Sequence, residues 1–316
     1  MVLGLLAIDT ETTGVEWHDQ AFMISLANEE ASVVFDKRQM RNTAWDDTIM
    51  YVCSEIEEAD KIIMHNAKFD LQKLIDLGLD GDILPVLLSK FEDTQAIAHL
   101  INEHQSTSLK NLAREVLSEE TDEDEVLKVW RRKNKMKKDD GYEPIPHEIL
   151  APYAAKDAEF TLCLYKTLWP LLPEDLHPLY ELEKQLTLAL LEVEAQGMKI
   201  DRDYVSTKRK EYGDRIYKLK SRIGELAGEE FNPQSPQQVL HALSTRGVKV
   251  GKTDKATLAS LDDELATLIV ELREANKIKS TYFDALWNES RDGILHPNFR
   301  QHGTRTGRMS SGSAES

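Results

Sequence analysis

The chain has 316 residues, 41% hydrophobic and 30% charged, which excludes fibrous, low-complexity and disordered classes and is enough to bury two separate cores. Its two cysteines, Cys53 and Cys163, exclude a disulfide framework or a thiolate zinc site, and a reducing compartment, the cytoplasm, is expected. A net charge of -17 excludes nucleic-acid binding by bulk charge, so any contact to phosphate must come from a local basic patch.

In chain order, the apolar opening from Met1 to Ile8 has no basic leader, is too short to cross a bilayer and runs directly into Asp9. It reads as a core strand, and no membrane association is expected. Leu3 to Ile8, Phe22 to Ala27, Ser32 to Phe35 and Ile62 to His65 read as short strands,. Trp45 to Ala59 and Lys68 to Leu77 read as helices, and Thr94 to Val116 as two more. The fold class is α/β, a mixed central sheet flanked by helices. After Pro170 to Pro173 the strand-like runs stop, and Leu179 to Ala195, Arg202 to Ala227, Pro236 to Ser244 and Leu265 to Trp287 read as helices. Two domains are therefore expected, residues 1–175 and a mainly helical 176–316.

Three acidic sites stand out in the first of them. Asp9 and Glu11 end an apolar strand two residues apart, and alternation along a strand puts both carboxylates on one side, where they can face one metal. Thr12-Thr13-Gly14 follows, a turn whose glycine lets backbone approach a ligand closely. His65, Asn66 and Asp70 follow the strand Lys61 to Met64. Asp70 falls in the first helical turn, where the dipole favours a carboxylate, and capping by Asn66 is the competing account of this segment. Tyr153 and Asp157 are four apart on a helix entered through Pro152, hence neighbours on one face.

Four carboxylates in one cleft would repel and raise each other's pKa unless cations lie between them. Hard oxygen ligands select Mg2+ or Mn2+, and two such ions about 4 Å apart can clamp a phosphodiester. No catalytic Ser, Cys or Lys is then required. With an ordinary pKa of about 10, Tyr153 suits positioning a water better than acting as a base.

Two basic runs are candidate phosphate contacts. Lys128 to Lys138 contains Arg131, Arg132 and Lys133 and no acid, but it follows an acidic block from Glu115 to Glu125, so a self-neutralising surface insertion competes with a strand guide. Lys208 to Arg222 carries Glu211 and Asp214 among its bases and reads equally as a solvated helix face.

Asp9-x-Glu11, Asn66-x-x-x-Asp70 and Tyr153-x-x-x-Asp157 resemble the three motifs of the DEDDy 3′-5′ exonucleases, a branch of the ribonuclease H-like superfamily. The second half resembles family A DNA polymerases. Tyr180 to Asp201 is similar to their opening helix, Asn232 to Gln238 to a thumb segment, Leu272 to Tyr282 to the thumb helix, and Gln301 to Ser311 to an element near the primer terminus. The resemblance covers nearly the whole chain and implies the amino-terminal part of a proofreading polymerase of phage or bacterial type.

The resemblance implies one metal on Asp9, Glu11 and Asp157, and a second on Asp9 and, through water, Asp70. Tyr153 would orient the nucleophilic water, Thr12, His65 and Asn66 would sit near the terminal nucleotides, and Arg308 would touch the primer strand. The expected activity is Mg2+-dependent removal of nucleotides from single-stranded or frayed DNA 3′ ends. The palm carboxylates are not reached by Ser316, so polymerase activity is not expected from this chain alone. Two alternatives are a DNA-binding thumb subunit for a separate palm-fingers chain, and a DEDD-type RNA 3′-exonuclease.

Overall fold

The computed structural model describes residues 4–119, 122–137, 140–228 and 231–312. Leu3 of the first expected strand, Glu120 of the acidic block, Lys138 of the basic run and residues 313–316 lie outside the described residues. The first strands are β1 (Leu5–Thr12), β2 (Ala21–Ala27) and β3 (Ser32–Asp36), followed by α1 (Asn42–Glu58), β4 (Lys61–Met64), α2 (Ala67–Asp76), α3 (Ile83–Lys90) and β5 (Phe91–Asp93). Then come α4 (Thr94–Ile101), α5 (Leu109–Leu112) with a π-helical turn over Ala113–Leu117, α6 (Asp122–Lys133), α7 (His147–Leu168) and α8 (His177–Gln196).

The sheet order is β3-β2-β1-β4-β5. β1 pairs antiparallel with β2 and parallel with β4, and β4 pairs parallel with β5. This mixed sheet flanked by helices is the expected α/β architecture.

Alternation along the central strands decides which side each residue serves. Leu6, Ile8, Ile24, Leu26, Ile62 and Met64 pack on one side against Trp45, Val52 and Ile56 of α1 and Leu71 and Leu74 of α2. Ala7, Ala27 and Ile63 pack on the other side against Ala158, Leu162 and Tyr165 of α7 and Ile97 of α4. Both faces are covered, which is why these strands read as continuous apolar runs. By the same parity Asp9 and Glu11 follow Ala7 onto the α7 side, and Thr10 follows Ile8 onto the α2 side.

A third cluster joins the segment after residue 119 to the sheet. Leu127 of α6, Ile145, Leu150, Tyr153 and Ala154 bury Phe22 and Met23. The Arg38 guanidinium bonds both oxygens of buried Asp36 and donates to the carbonyls of Glu143 at 2.5 Å and Ile145 at 2.7 Å. The side of the site beyond β2 is therefore built from this segment.

The helical region contains β6 (Met198–Lys199), α9 (Arg202–Ala227), α10 (Pro236–Thr245), α11 (Lys255–Ala259), α12 (Glu264–Ile278), a π-helical turn over Lys279–Asp284, α13 (Ala285–Glu289) and β7 (Ile294–Leu295). β8 (Phe299–Arg300) and β9 (Ser310–Ser311) form a final antiparallel pair. The chain divides into two compact units, Met1–Gln196 with Pro297–Ser316, and Gly197–His296. The boundary expected near residue 175 falls just before α8, a helix grouped with the first unit. Its Tyr180 completes one face of the sheet and its Leu191 the other.

The second unit has its own core of Leu219 and Ile223 from α9, Val239 and Leu243 from α10, and Leu265, Ile269 and Leu272 from α12. Helices α9, α10 and α12 start at side-chain caps: Asp201 accepts from Tyr204 N, Ser235 from Gln238 N with Pro236 behind it, and Asp263 from Ala266 N,. Basic residues of the Lys208 to Arg222 run are paired within this unit, Arg209 with Asp284 and Arg222 with Glu225 and Glu264. That is the arrangement of a solvated, charge-matched helix face. Among the described residues no helix is long and apolar enough to cross a membrane.

Candidate active site

Three of the four expected acids meet closely. One carboxylate oxygen from each of Asp9, Glu11 and Asp157 lies within 4.8 Å of the others. β1 presents the first two and α7, packed on the same face, brings the third. Burial raises the pKa of Asp9 well above the carboxylate range, and the neighbouring charges of Asp70, Glu11 and Asp157 raise it further. Glu11 is raised by burial and then by Asp157, and Asp157 by burial against the opposing charge of Lys110. A set of hard oxygen donors, two buried and one half-buried, whose mutual repulsion Lys110 offsets only in part fits a divalent cation,.

Asp70 reaches the site from the opposite face. Its Oδ1 accepts the backbone N–H of Thr10 at 3.1 Å and the Thr10 hydroxyl at 2.7 Å. It is not one of the three closely grouped ligands, yet its charge acts on Asp9. Burial pushes its pKa up to about 7 against the two bonds from Thr10.

The competing account of this segment, capping of α2 by Asn66, is not what the structure shows. Asn66 occupies the N-cap position in the left-handed region at φ 63° and makes no side-chain cap bond. Asp93 of β5 supplies it, with Oδ1 accepting from Asn66 N at 3.0 Å and Oδ2 from Ala67 N at 2.9 Å. Asp93 Oδ1 also accepts from Gln95 N at 2.8 Å, at the start of α4. Asn66 is exposed, and His65 turns Nδ1 to the Thr94 hydroxyl at 2.8 Å.

The helix carrying the third motif begins at His147, five residues before Pro152, so the proline lies inside α7 rather than at its entry. Tyr153 is buried, and its ring meets Tyr142 edge-on at 6.0 Å between centroids. Tyr142 and Asp157 are the groups that act most on its hydroxyl. Burial and the charges of Asp157 and Glu11 raise the Tyr153 pKa well above 10, so it stays protonated. Tyr142 is pushed up to about 12, chiefly by burial.

The loop after β1 is fastened from α2. Lys73, fully buried, donates from Nζ to the carbonyls of Glu16 at 3.1 Å, Trp17 at 3.2 Å and Asp19 at 2.6 Å. Asp19 accepts from Thr13 Oγ1 at 3.2 Å and Glu16 N at 2.8 Å, and a Cβ at Gly14 would overlap its carboxylate. The Thr12 hydroxyl bonds the Gly14 carbonyl at 2.5 Å, while the Thr12 carbonyl accepts from Tyr142 N at 3.0 Å. Thr12 is thus buried and committed to the turn.

The expected nucleic-acid residues differ in exposure and in the bonds they make. Arg131 is half-buried, donates to the carbonyls of Lys137 at 2.5 Å and Asp140 at 3.3 Å, and lies 5.2 Å over the Tyr142 ring. Its charge lowers the Glu11 pKa, so it acts from inside the site wall. Arg132 and Lys133 are exposed at the end of α6. Arg308 is exposed just before β9, where its carbonyl accepts from the Thr304 hydroxyl at 2.5 Å.

Lys110, Tyr142, Asp93 and Lys73 were missed by sequence reasoning. Their parts are set by pairings across 47, 26 and 54 residues in the cases of Asp157, Ala67 and Asp19. Tyr142 alone carried a local signal, an aromatic beside Gly141, whose position leaves no room for a Cβ against the Thr13 carbonyl.

Residues 3–173 match the family model for the 3′-5′ exonuclease, and residues 202–314 that for DNA polymerase family A. The chain is 29% identical over 346 residues to DNA polymerase DpoZ of Vibrio phage phiVC8, spanning 96% of this chain and 53% of that protein. It is 28% identical over 337 residues to DNA polymerase I of Pseudomonas aeruginosa, spanning 97% and 36% respectively. The chain therefore spans about half the length of the phage relative. The structure resembles that of the POL domain of Pol1 from M. smegmatis in complex with DNA primer-template and dNTP, with a TM-score of 0.69 at 19% identity, over 98% of this chain and 51% of that one. This last likeness concerns the fold.

Proposed function

The chain belongs to the family of 3′-5′ exonucleases carried by family A DNA polymerases, and on that premise we propose that it removes nucleotides from single-stranded or frayed DNA 3′ ends by a two-metal mechanism. The observation that carries the reading is the gathering of Asp9, Glu11 and Asp157 within 4.8 Å in a setting that raises all three pKa values.

Asp9, Glu11 and Asp157 would hold one Mg2+ or Mn2+, and Asp9 with Asp70 a second. When bound, such ions lower the pKa of the attacking water and stabilise charge on the phosphate and the departing 3′ oxygen. Tyr142 and Lys110 pack on the Tyr153 ring and its pKa is raised well above 10, so Tyr153 orients a water while keeping its own proton. Thr10 holds Asp70 in one rotamer by two bonds to a single oxygen. Lys73 fixes the loop that follows Glu11, which keeps the β1 end in place beside a bound nucleotide. His65 and Asn66 are assigned to the terminal nucleotides, with the turn that Thr12 secures beside them, and Arg132 and Lys133 to the strand leading in.

The test is decay of a 5′-labelled DNA oligonucleotide with Mg2+ or Mn2+, run beside an RNA of the same sequence. A ladder shortening from the 3′ end is expected, faster on single strands than on paired ends. Asp9→Ala and Asp157→Ala should abolish it. Digestion by these variants at the wild-type rate would show the site assignment to be wrong, and preference for RNA would favour the RNA-trimming alternative.

The match of residues 202–314 to DNA polymerase family A favours a second, compatible role: a DNA-binding thumb, with Arg308 on the primer strand, serving a palm-fingers chain. Primer extension that appears on mixing the two chains, together with their co-purification, is the expected outcome. Its absence would leave the exonuclease alone.

A further inference from the structure

Lys110 sits on the one-turn helix α5, and its ammonium donates to Asp157 Oδ1. It lies 4.0 Å from the centroid of the Tyr153 ring and 5.6 Å from that of Phe160. The side chain is 24% exposed and its carboxylate partner 9%. Two aromatic faces and one carboxylate therefore hold this cation against the cluster, where a surface lysine would exchange freely with solvent. Its charge also opposes the upward shifts of Glu11 and Asp9.

A carboxylate oxygen that accepts from an ammonium offers fewer lone pairs to a second cation, and two like charges a few ångströms apart repel. Asp157 is the member of the cluster that both would use. We infer that Lys110 is a resident competitor for the divalent ion at Asp157: it balances the cluster while no ion is bound, yields Asp157 as the ion enters, and so sets the ion concentration at which the site fills. The inference rests on the reading of Asp9, Glu11 and Asp157 as metal ligands. Lys110 is here a positioning residue, acting through Asp157.

The test is Mn2+ binding to the full chain, measured by the loss of the free-ion electron paramagnetic resonance signal at fixed pH and salt. Lys110→Met and Lys110→Gln are both expected to bind Mn2+ about tenfold more tightly than wild type, whereas Lys110→Arg keeps near wild-type affinity. The two neutral variants should also melt lower than wild type without metal and regain the difference with Mn2+. A role confined to packing would leave affinity unchanged and would not be rescued by arginine. Unchanged or weaker Mn2+ binding in both neutral variants overturns the inference, provided that Asp157→Ala weakens binding, in which case the metal reading stands. Equal binding by wild type and Asp157→Ala overturns the metal reading, and the competition at Asp157 with it.

Discussion

Thr10 gives both its backbone N–H and its hydroxyl to one oxygen of Asp70, at 3.1 and 2.7 Å. An asparagine can accept the same two bonds through its carbonyl oxygen, so the effect of charge at this position is separable from the effect of shape. Burial raises the Asp70 pKa from 3.8 to about 7. With a raised folded-state pKa, its contribution to stability is full below 3.8 and is lost as pH rises through about 7,. Asp70→Asn should therefore melt higher than metal-free wild type at pH 8 and lose that advantage near pH 5, while exonuclease rate falls at least about 100-fold. Scanning calorimetry across pH with chelator checks the first part; no crossover would mean that the carboxylate ionises freely.

Tyr153→Phe keeps the edge-on contact with Tyr142 at 6.0 Å and the Lys110 contact at 4.0 Å while removing the hydroxyl. The rate constant of hydrolysis is expected to fall by about 100-fold with KM nearly constant. A matching rise in KM would instead make the tyrosine a nucleotide-binding residue.

Lys73→Met fills the same space without the charge and leaves the carbonyls of Glu16, Trp17 and Asp19 without their shared donor. A loss of about 2 kcal/mol in urea unfolding is expected, with new proteolytic cutting within residues 15–19. Wild-type resistance at that loop would show that other bonds secure it.

His302 packs 5.1 Å from His99, and burial followed by the His99 charge lowers its pKa from 6.5 to about 4. With a depressed folded-state value, its contribution is full above pH 6.5 and declines as pH falls toward about 4,. Between pH 7 and about pH 5 the wild-type melting temperature should therefore fall more steeply than that of His302→Gln. Parallel curves would place the acid sensitivity elsewhere.

Arg131 and its neighbours should part company in a salt titration. If Arg132 and Lys133 each meet one phosphate, replacing both with alanine reduces the slope of log affinity against log salt for a single strand by about 1.4. Arg131→Ala, which removes bonds to Lys137 and Asp140 carbonyls, should lower the urea midpoint. An unchanged slope in the double variant would return α6 to a solvated, self-neutralised surface, in keeping with Lys128 pairing with Asp124 and Glu125.

The features legible in the sequence are those governed by local periodicity. Strand alternation put Asp9 and Glu11 on one side, the four-residue spacing put Tyr153 beside Asp157, and the caps Asp201 and Ser235 marked their helices. β5 escaped because three residues, Phe91–Asp93, are too few to show a period, and its strand character comes from pairing with β4. Asn66 resembles a cap by type, but the side chain that caps α2 comes from β5, and only the fold brings them together. Pro152 misled for a related reason: Leu150 and Ala154 bury against Phe22 and Met23, and this packing supports a helix that runs through the proline. Lys110 gave no signal, since a lysine in a short expected helix acquires its role from a carboxylate 47 residues away.

Asp93 bonds the first residues of α2 and of α4 at once, while its own N–H accepts no freedom either, being donated to the Tyr180 hydroxyl at 2.9 Å. One side chain is thereby a shared rivet for two helices, one of which carries Asp70. Neither helix start can shift without straining the other, so wear at this single joint would spread sideways, blurring the aim of a carboxylate it never touches.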